Sequence, residues 1–585
     1  MLSRKTLFQY FAVSVYFVSL IYTLAGGVFS LGQGQEYPYL PSGVFLALLL
    51  VGWLMLNGGS GLIARIDPDR RLPKLAGGRG VETAFAILAL TIAAILRIRV
   101  VLTMPVQVES DYRTYYEVAG LLARGALRTE GPGYCDYIAM FPHVYGYPFA
   151  LSLVFRIFGT SVKAALYFNV ALSVLTVFIS YRTARLAGGR LCGGVALLLT
   201  ALWPSQILYV NMVASEYLFS CMLMFAMYLF VKSIKEYDGD AKHPAAGVLL
   251  HILLGAWLAL TAAVRPMALL LLIAIVICVC FERQRLPARR TEDQPVSLVF
   301  LSRGWMRCLL IIAVYLGVSA LVSTAIANAI DAQPASGTTS FGYNLLVGLN
   351  AESEGGWNQE DADYLYAALE ETGSASEAQM ACRDLAMRRL RDAKGIINLF
   401  LHKFQVLWMN DDYGTTWNLL FMEQQGTLTE AREGFLYAAR GIGNIFYLLV
   451  VAFAAIEGIF LWRRGCGLAY PFLLMYLGTA AMHLLLENQN RYHFHALFML
   501  AILAAFGVRD ICAASRVRVQ QRLEERRTLA RQKQEDAMKK NALLREEEHL
   551  TELRQQAMQS RFDVRDALEK GYITVRVSKA YTDDE

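Results

Sequence analysis

VETAFAILALTIAAILRIRVVLTMPVQVESDY, residues 81–112, decides how the rest of the chain is read. It holds an apolar run from Val81 to about Met104, followed within a few residues by two carboxylates, Glu109 and Asp111. A hydrocarbon core about 30 Å thick takes about 20 apolar residues in a helix. The run therefore reads as a membrane span that delivers acidic residues to a boundary.

Working outward, runs of the same kind recur at Phe8–Leu31, Gly43–Ala64, Val162–Tyr181, Leu191–Leu208, Met212–Val231, Gly247–Val264, Pro266–Phe281, Met306–Ile326, Leu436–Trp462, Leu468–Leu486 and Phe494–Val508. Tyr147–Gly159 is apolar but too short to cross and reads as a re-entrant or interfacial helix. The expectation is an all-α polytopic membrane protein of about twelve transmembrane helices with interfacial helices and a small outer-face domain. The composition agrees: 56% of the 585 residues are hydrophobic and only 18% charged, where soluble chains carry roughly a quarter charged.

Lys and Arg gather in alternate loops, as cytoplasmic loops require. They cluster at 65–79, at Arg182, Arg185 and Arg190, at 232–242 and at 282–303. This places both termini in the cytoplasm and the chain in the cell membrane as a multi-pass protein. The organisation expected is residues 1–80 as two N-terminal spans with a cytoplasmic loop, and 81–326 as a transmembrane core with a first outer loop at 105–147. Residues 327–434 form an outer loop domain, 435–510 the last spans, and 511–585 a charged cytoplasmic helical tail. The loop domain carries sixteen Asp and Glu against seven Lys and Arg. Within it, Ser374-x-x-Glu377 is a capping box. The tail keeps no strict heptad; it reads as a solvated helix, open to a cytoplasmic partner or to self-association.

Nine cysteines include no C-x-x-C pair. Only Cys135 and Cys382 fall in loops placed outside, and their pairing is left open. There is no P-loop, no G-x-G-x-x-G after a strand and no HExxH. D-x-D triplets at Asp67–Asp69, Asp238–Asp240 and Asp361–Asp363 are set aside, since the first two lie in short loops with no domain to host a nucleotide sugar. Nothing points to nucleic acid.

Ionisable residues at a membrane boundary are costly and mark function. Glu109 and Asp111 could serve as a base, orient a hydroxyl or hold a divalent cation; an ordinary acidic loop pairing with Arg97, Arg99 or Arg113 is the alternative. His143, in FPHVYGYP at 141–148, could contact a phosphate or be structural. Glu216 and Arg265 stand at outer boundaries, and ENQNRYHF at 487–494 brings Glu487, Arg491, Tyr492 and His493 between two apolar runs. Mid-span residues are almost wholly apolar, which argues against a pump or channel.

Together these residues resemble the GT-C superfamily of polytopic glycosyltransferases, in the branch of protein O-mannosyltransferases and lipid A aminoarabinose transferases. The motifs are Asp111 followed by Tyr115, Ala119, Leu122 and Gly125; Tyr147 and Pro148 leading to Phe158 and Gly159; Pro204 with Glu216; Arg265 with Pro266; and Gln489-x-Arg491-Tyr492. The likeness covers roughly residues 80–510. Two extra spans precede the family's usual first helix, and His143-Val-Tyr-Gly-Tyr-Pro148 replaces an H-x-P-L motif.

The resemblance implies a polyprenyl-phosphate sugar donor and transfer with inversion to the hydroxyl of a glycan, lipid or protein acceptor. Membrane lipids would surround the bundle. Asp111 would be the catalytic base, with Glu109 beside it. Tyr112, His143, Tyr147, Glu216, Arg265, Glu487, Arg491 and Tyr492 would bind substrate. No metal ligand is assigned, and a divalent metal remains open as the cofactor. The competing class is a lipid or polysaccharide transporter or flippase that leaves the glycosyl bond intact. The stretches 340–350 and 355–358 are expected to cover the cleft.

Overall fold

The computed structural model describes residues 4–31, 39–66, 78–104, 106–237, 244–281, 304–335, 341–391, 395–572 and 574. The basic loops at 67–77, 238–243 and 282–303, with two of the D-x-D triplets, lie outside them. Among the described residues every regular element is helical.

In chain order the helices are α1 (Arg4–Ser30), α2 (Tyr39–Ile66), α3 (Arg79–Thr103), α4 (Ser110–Arg124), α5 (Leu127–Glu130), α6 (Pro132–Met140), α7 (Gly146–Phe158), α8 (Val162–Ala201), α9 (Pro204–Leu208), α10 (Glu216–Tyr237) and α11 (Pro244–Ala262). Then follow α12 (Ala268–Phe281), α13 (Gly304–Ile330), α14 (Gly342–Gly348), α15 (Gln359–Thr372), α16 (Ala375–Arg391), α17 (Ile396–Trp408), α18 (Tyr413–Gln424), α19 (Glu430–Arg464), α20 (Tyr470–Leu485) and α21 (Phe494–Glu569).

Ten of these helices are long and apolar enough to cross a membrane, and α12 is a shorter apolar helix. α8 is two helices. Gly189, at φ 87° and ψ −175°, breaks it in a region essentially reserved for glycine. The chain then doubles back, so that a Cβ on Gly193 would stand 2.7 Å from Cβ of Arg185. In a continuous helix, residues eight apart lie about 12 Å apart. Ten candidate spans among the described residues stand against the about twelve expected: the runs Val162–Tyr181 and Leu191–Leu208 fall on the broken α8, and Pro266–Phe281 gives only the shorter α12. α7 is the short amphipathic helix anticipated at 147–159.

The chain divides into two units, residues 1–60 with 70–513, and 61–69 with 514–585. In the first, the opening turns of α21 are the most deeply buried part: Phe494 and Ala496 to Phe506 are each at most 2% exposed. The short 3-10 turn Asn490–His493 joins directly onto that helix, so Arg491 and Tyr492 sit on the bundle's central post. The second unit holds the mixed-charge part of α21, which is almost entirely exposed.

A separate core joins the first loop to the loop domain. Ile138, Met140 and Phe141 pack with Leu346, Val347, Leu365, Ala378 and Cys382. Backbone and side-chain bonds cross it: Ala335 N–H to the Ala139 carbonyl at 2.7 Å, and Gln379 Nε2 to the Met140 carbonyl at 3.2 Å. Cys135 and Cys382 are both buried here, and both are free thiols. Ser374 caps α16 by accepting from Glu377 N at 3.4 Å. The reciprocal half of the box is replaced, because Ser374 N donates to Thr372 Oγ1.

Candidate active site

Between this lobe and the bundle lies a cavity of about 660 Å³, within the range of roughly 300–1,000 Å³ usual for ligand pockets. Its lining draws on segments scattered from Ser110 to His495. Asp111 stands in the first turn of α4, just after Ser110, whose φ of +53° is left-handed. Such strain in a non-glycine residue is concentrated at functional sites.

The Asp111 carboxylate accepts from Arg491 Nη2 through Oδ2 at 2.8 Å. Arg491 Nη1 donates to the Tyr112 hydroxyl at 2.7 Å, and that hydroxyl is 2.9 Å from the hydroxyl of Tyr209. Tyr209 in turn donates to Glu216 Oε1 at 3.4 Å. Arg265 closes the series, with Nη2 2.7 Å from Glu216 Oε1 and Nε on Ser215 Oγ at 3.0 Å. The result is a chain of hydrogen bonds running from one arginine to the other, charge-assisted at its ends and joined in the middle by the neutral Tyr112–Tyr209 pair.

Aromatic faces complete the cation sites. The Arg491 guanidinium lies 5.0 Å from the Trp417 ring, 5.4 Å from Tyr112 and 5.6 Å from Tyr492; Arg265 lies 6.0 Å from Tyr492. These contacts stabilise guanidinium ions away from bulk water. Arg491 is 5% exposed, and its Nε has no partner among the described residues.

The loop before Arg491 is stitched to the lobe. Glu487 N donates to the Asn344 carbonyl at 2.9 Å and Asn488 N to the Gly355 carbonyl at 3.0 Å. Beneath them the Lys403 ammonium donates to the carbonyls of Gly348, Leu484 and Leu486 at 2.6, 2.9 and 2.8 Å. Burial pushes the Glu487 carboxyl above its ordinary range; Arg491 opposes this and the Asp111 charge adds to it. His143 lines the cavity and is pushed down to about 4, first by burial and then by Arg265. It is therefore a neutral imidazole at pH 7.

The residues expected at the site are mostly brought together. Asp111, His143, Arg265, Glu487, Arg491 and Tyr492 line the cavity. Tyr112, 1% exposed, lies beneath it as the hydroxyl that carries Arg491. Glu216 is the counter-ion behind Arg265. Tyr147 is fully buried on Asn169, edge-on to Tyr115, which does line the cavity. Glu109 is the one that stays out: it occupies the extended position before α4 and is absent from the lining.

Two of the three alternative partners offered for the acidic loop are engaged elsewhere. Arg113 pairs with Glu117 at 2.7 Å. Arg97 is buried within its span, on Ser173 Oγ and the carbonyls of Ala93, Thr200 and Ala201. That buried cation is an exception within spans that are otherwise almost wholly apolar. It holds the carboxyl end of α8, where the helix dipole favours positive charge. Asp361, from the third D-x-D triplet, is ion-paired with Arg389 at 2.7 Å and is structural.

Missed at the sequence level were Tyr209, Trp417, Lys403 and Asp411. Asp411 accepts from Trp203 Nε1 and Ser205 Oγ, each at 2.6 Å, and lies 3.1 Å from His493 Nε2. The only available signal was their place in polar gaps beside apolar runs. Among the described residues no group of three or more His, Cys, Asp or Glu is gathered that could hold a metal ion, and Asp111 is paired with Arg491.

Fold and cavity define a polytopic helical membrane protein with a paired-arginine site at one boundary of its bundle. No family model and no curated protein matches the sequence. Among solved structures the chain is similar to two archaeal oligosaccharyltransferase structures and to ArnT. An oligosaccharyltransferase of Archaeoglobus fulgidus, tethered to an acceptor peptide, overlaps at a TM-score of 0.39 and 14% identity over 72% of this chain and 49% of that one. The archaeal oligosaccharyltransferase AglB from the same organism, with an inhibitory peptide and dolichol-phosphate, gives 0.39 and 13% over 72% and 50%. ArnT from Cupriavidus metallidurans, bound to undecaprenyl phosphate, gives 0.29 and 14% over 74% and 78%. The chain thus spans about half the length of the oligosaccharyltransferases it matches. Overlaps of this size carry no functional argument, and the reading below rests on the cavity.

Proposed function

We propose that this chain is a membrane glycosyltransferase that moves a sugar from a polyprenyl-phosphate donor to an acceptor hydroxyl, with inversion, on the outer face of the cell membrane. The observation that carries the reading is the Asp111–Arg491 pair, with Arg265 held on the same cavity. One carboxylate and two desolvated guanidinium ions converge at the boundary of an apolar bundle.

A polyprenyl-phosphate sugar is an anion attached to a lipid, and this site places two cations at the end of an apolar bundle. Arg491, with its free Nε, and Arg265 would hold the phosphate oxygens. Among the described residues Asp111 Oδ1 has no partner, which leaves it for a hydroxyl. The acceptor oxygen forms the new bond to the anomeric carbon as the bond from that carbon to the phosphate oxygen breaks. The proton goes to Asp111, and polyprenyl phosphate leaves with its second negative charge balanced by the two arginines. Because phosphate leaves as an anion, fixed positive charge is worth more here than an acid. Neutral His143 fits as a hydrogen-bonding partner rather than a third cation.

The test is incubation of the purified full-length protein in detergent with radiolabelled polyprenyl-phosphate sugars and a mixed acceptor fraction. Release of polyprenyl phosphate together with label on the acceptor is expected. Intact donor across the panel, with movement of label between leaflets in vesicles, would replace the transferase by a flippase.

A further inference from the structure

The cavity has two unlike halves. The arginines occupy one; the other is a wall from the loop domain, formed by Tyr343, Asn344, Trp357, Gln359 and Tyr366. We infer that this wall is the acceptor subsite and that the acceptor is a neutral, hydroxyl-rich glycan, an inference that rests on the transferase reading.

The first observation is exposure. Trp357 is 57% and Tyr366 47% exposed, although each lines a cavity. Large rings left open at a pocket mouth are characteristic of recognition surfaces. Nor is Trp357 loosely hung. It follows a turn in which Asn350 Oδ1 accepts from Glu352 N and Ser353 N, while Gly355 N and Gly356 N donate to the carbonyls of Asn350 and Ser353. The Lys403 stem packs so closely beneath Gly355 that a Cβ there would meet Lys403 Cδ at 2.8 Å. The ring is thus presented on a fixed platform, which lowers the ordering cost of binding.

The second observation is hydrogen-bond demand. His483 Nδ1 faces the Glu487 carbonyl oxygen at 3.2 Å, so that nitrogen carries the proton and Nε2 is an acceptor. Gln489 donates through Nε2 to Glu487 Oε1 at 3.0 Å, which fixes its Oε1 as an acceptor. Both free acceptors belong to cavity-lining residues, are buried and lack a partner among the described residues. Unsatisfied buried acceptors are costly, and two of them together call for a ligand that donates. Sugar hydroxyls donate. Phosphodiester oxygens and acyl chains do not.

Charge points the same way. The loop domain's sixteen acidic against seven basic residues repel a polyanionic acceptor. Sugar C–H faces, made slightly positive by their oxygens, suit the negative faces of Trp and Tyr rings.

The experiment presents the full-length protein in detergent, with no donor, to three immobilised probes. These are an array of neutral oligosaccharides, poly(glycerol phosphate) and Ser/Thr-rich peptides. Capture on a subset of the oligosaccharides is expected. Trp357→Ala should weaken it about tenfold, the loss typical of truncating an aromatic anchor. Trp357→Phe, which keeps a ring, should stay within about threefold. Both variants alter an exposed side chain, and size-exclusion profiles confirm their folding. Capture of phosphopolymer or peptide alone, or unchanged affinity in Trp357→Ala, overturns the assignment. Because binding is read without donor, failure of the lipid-donor assay overturns the transferase without touching this result, and the reverse holds as well.

Discussion

At the scale of single residues the mechanism stands on Asp111. Its side chain is 48% exposed, so its ion pair with Arg491 contributes about 1 kcal/mol or less to stability. Asp111→Asn should therefore fold normally. Turnover should nevertheless fall about 10²-fold or more, the scale of a lost general base, or about 2.7 kcal/mol in the barrier. Glu109→Gln is the control: it lies outside the cavity and should lose little. Steady-state rates on detergent-purified, monodisperse variants decide it, and near-normal turnover in Asp111→Asn removes the mechanism. His143 supplies a pH signature. Its folded value of about 4 lies below the ordinary value of about 6.5, so between these the unfolded chain binds the extra proton. Stability should then rise with pH across about 4 to 6.5. His143→Gln should flatten that slope in thermal melts, and identical slopes would show that His143 is not held neutral. The charged residues that line the cavity, Asp111, Arg265, Glu487 and Arg491, were legible in the sequence because ions are conspicuous beside apolar runs. Trp417 and Tyr209 were not, since an aromatic near a span is ordinary. Only the fold shows that Trp417 faces Arg491.

At the scale of elements, the site depends on one close approach. Gly146 opens α7, and a Cβ there would stand 2.4 Å from the Ala263 carbonyl oxygen and 3.0 Å from Cα of Val264. The absence of a side chain lets the His143 turn press against the backbone just before Arg265. Gly146→Ala can be accommodated only by moving one backbone off the other, because neither atom belongs to a flexible side chain. It should cost about 1–3 kcal/mol, as overpacking does, and lower turnover with it. A melting temperature and rate equal to wild type would show that the two segments are free to separate. The sequence announced α7 through its length and apolar face, but not this contact. Nothing in a GYP triplet says which backbone will lie against it. At α8, by contrast, the cluster Arg182, Arg185 and Arg190 announced the reversal, and the break at Gly189 falls within it.

At the scale of the whole molecule, the alternation of basic loops predicts which side each end occupies. A cysteine at Thr291 should be labelled by an impermeant maleimide only in inverted vesicles, and one at Ser376 only in right-side-out cells. Reversed labelling would put the cavity on the cytoplasmic side and end the outer-face reading. Span number was readable because hydrophobic length is a local property. The union of the first loop with the loop domain was not. It rests on pairs such as Gln379 with Met140, more than two hundred residues apart, with no local pattern to reveal them.

The Asp111–Arg491 pair spans 380 positions in the chain, and this governs when the protein becomes competent during its synthesis. The ribosome delivers the carboxylate well before its cationic partner. Until the segment bearing Arg491 is inserted, no nascent chain possesses the Asp111–Arg491 pair, and on the proposed function such copies would be unable to consume lipid-linked sugar. Two fragments divided in the loop after Phe281 and produced in the same cell should regain turnover when they meet, while each alone stays inert.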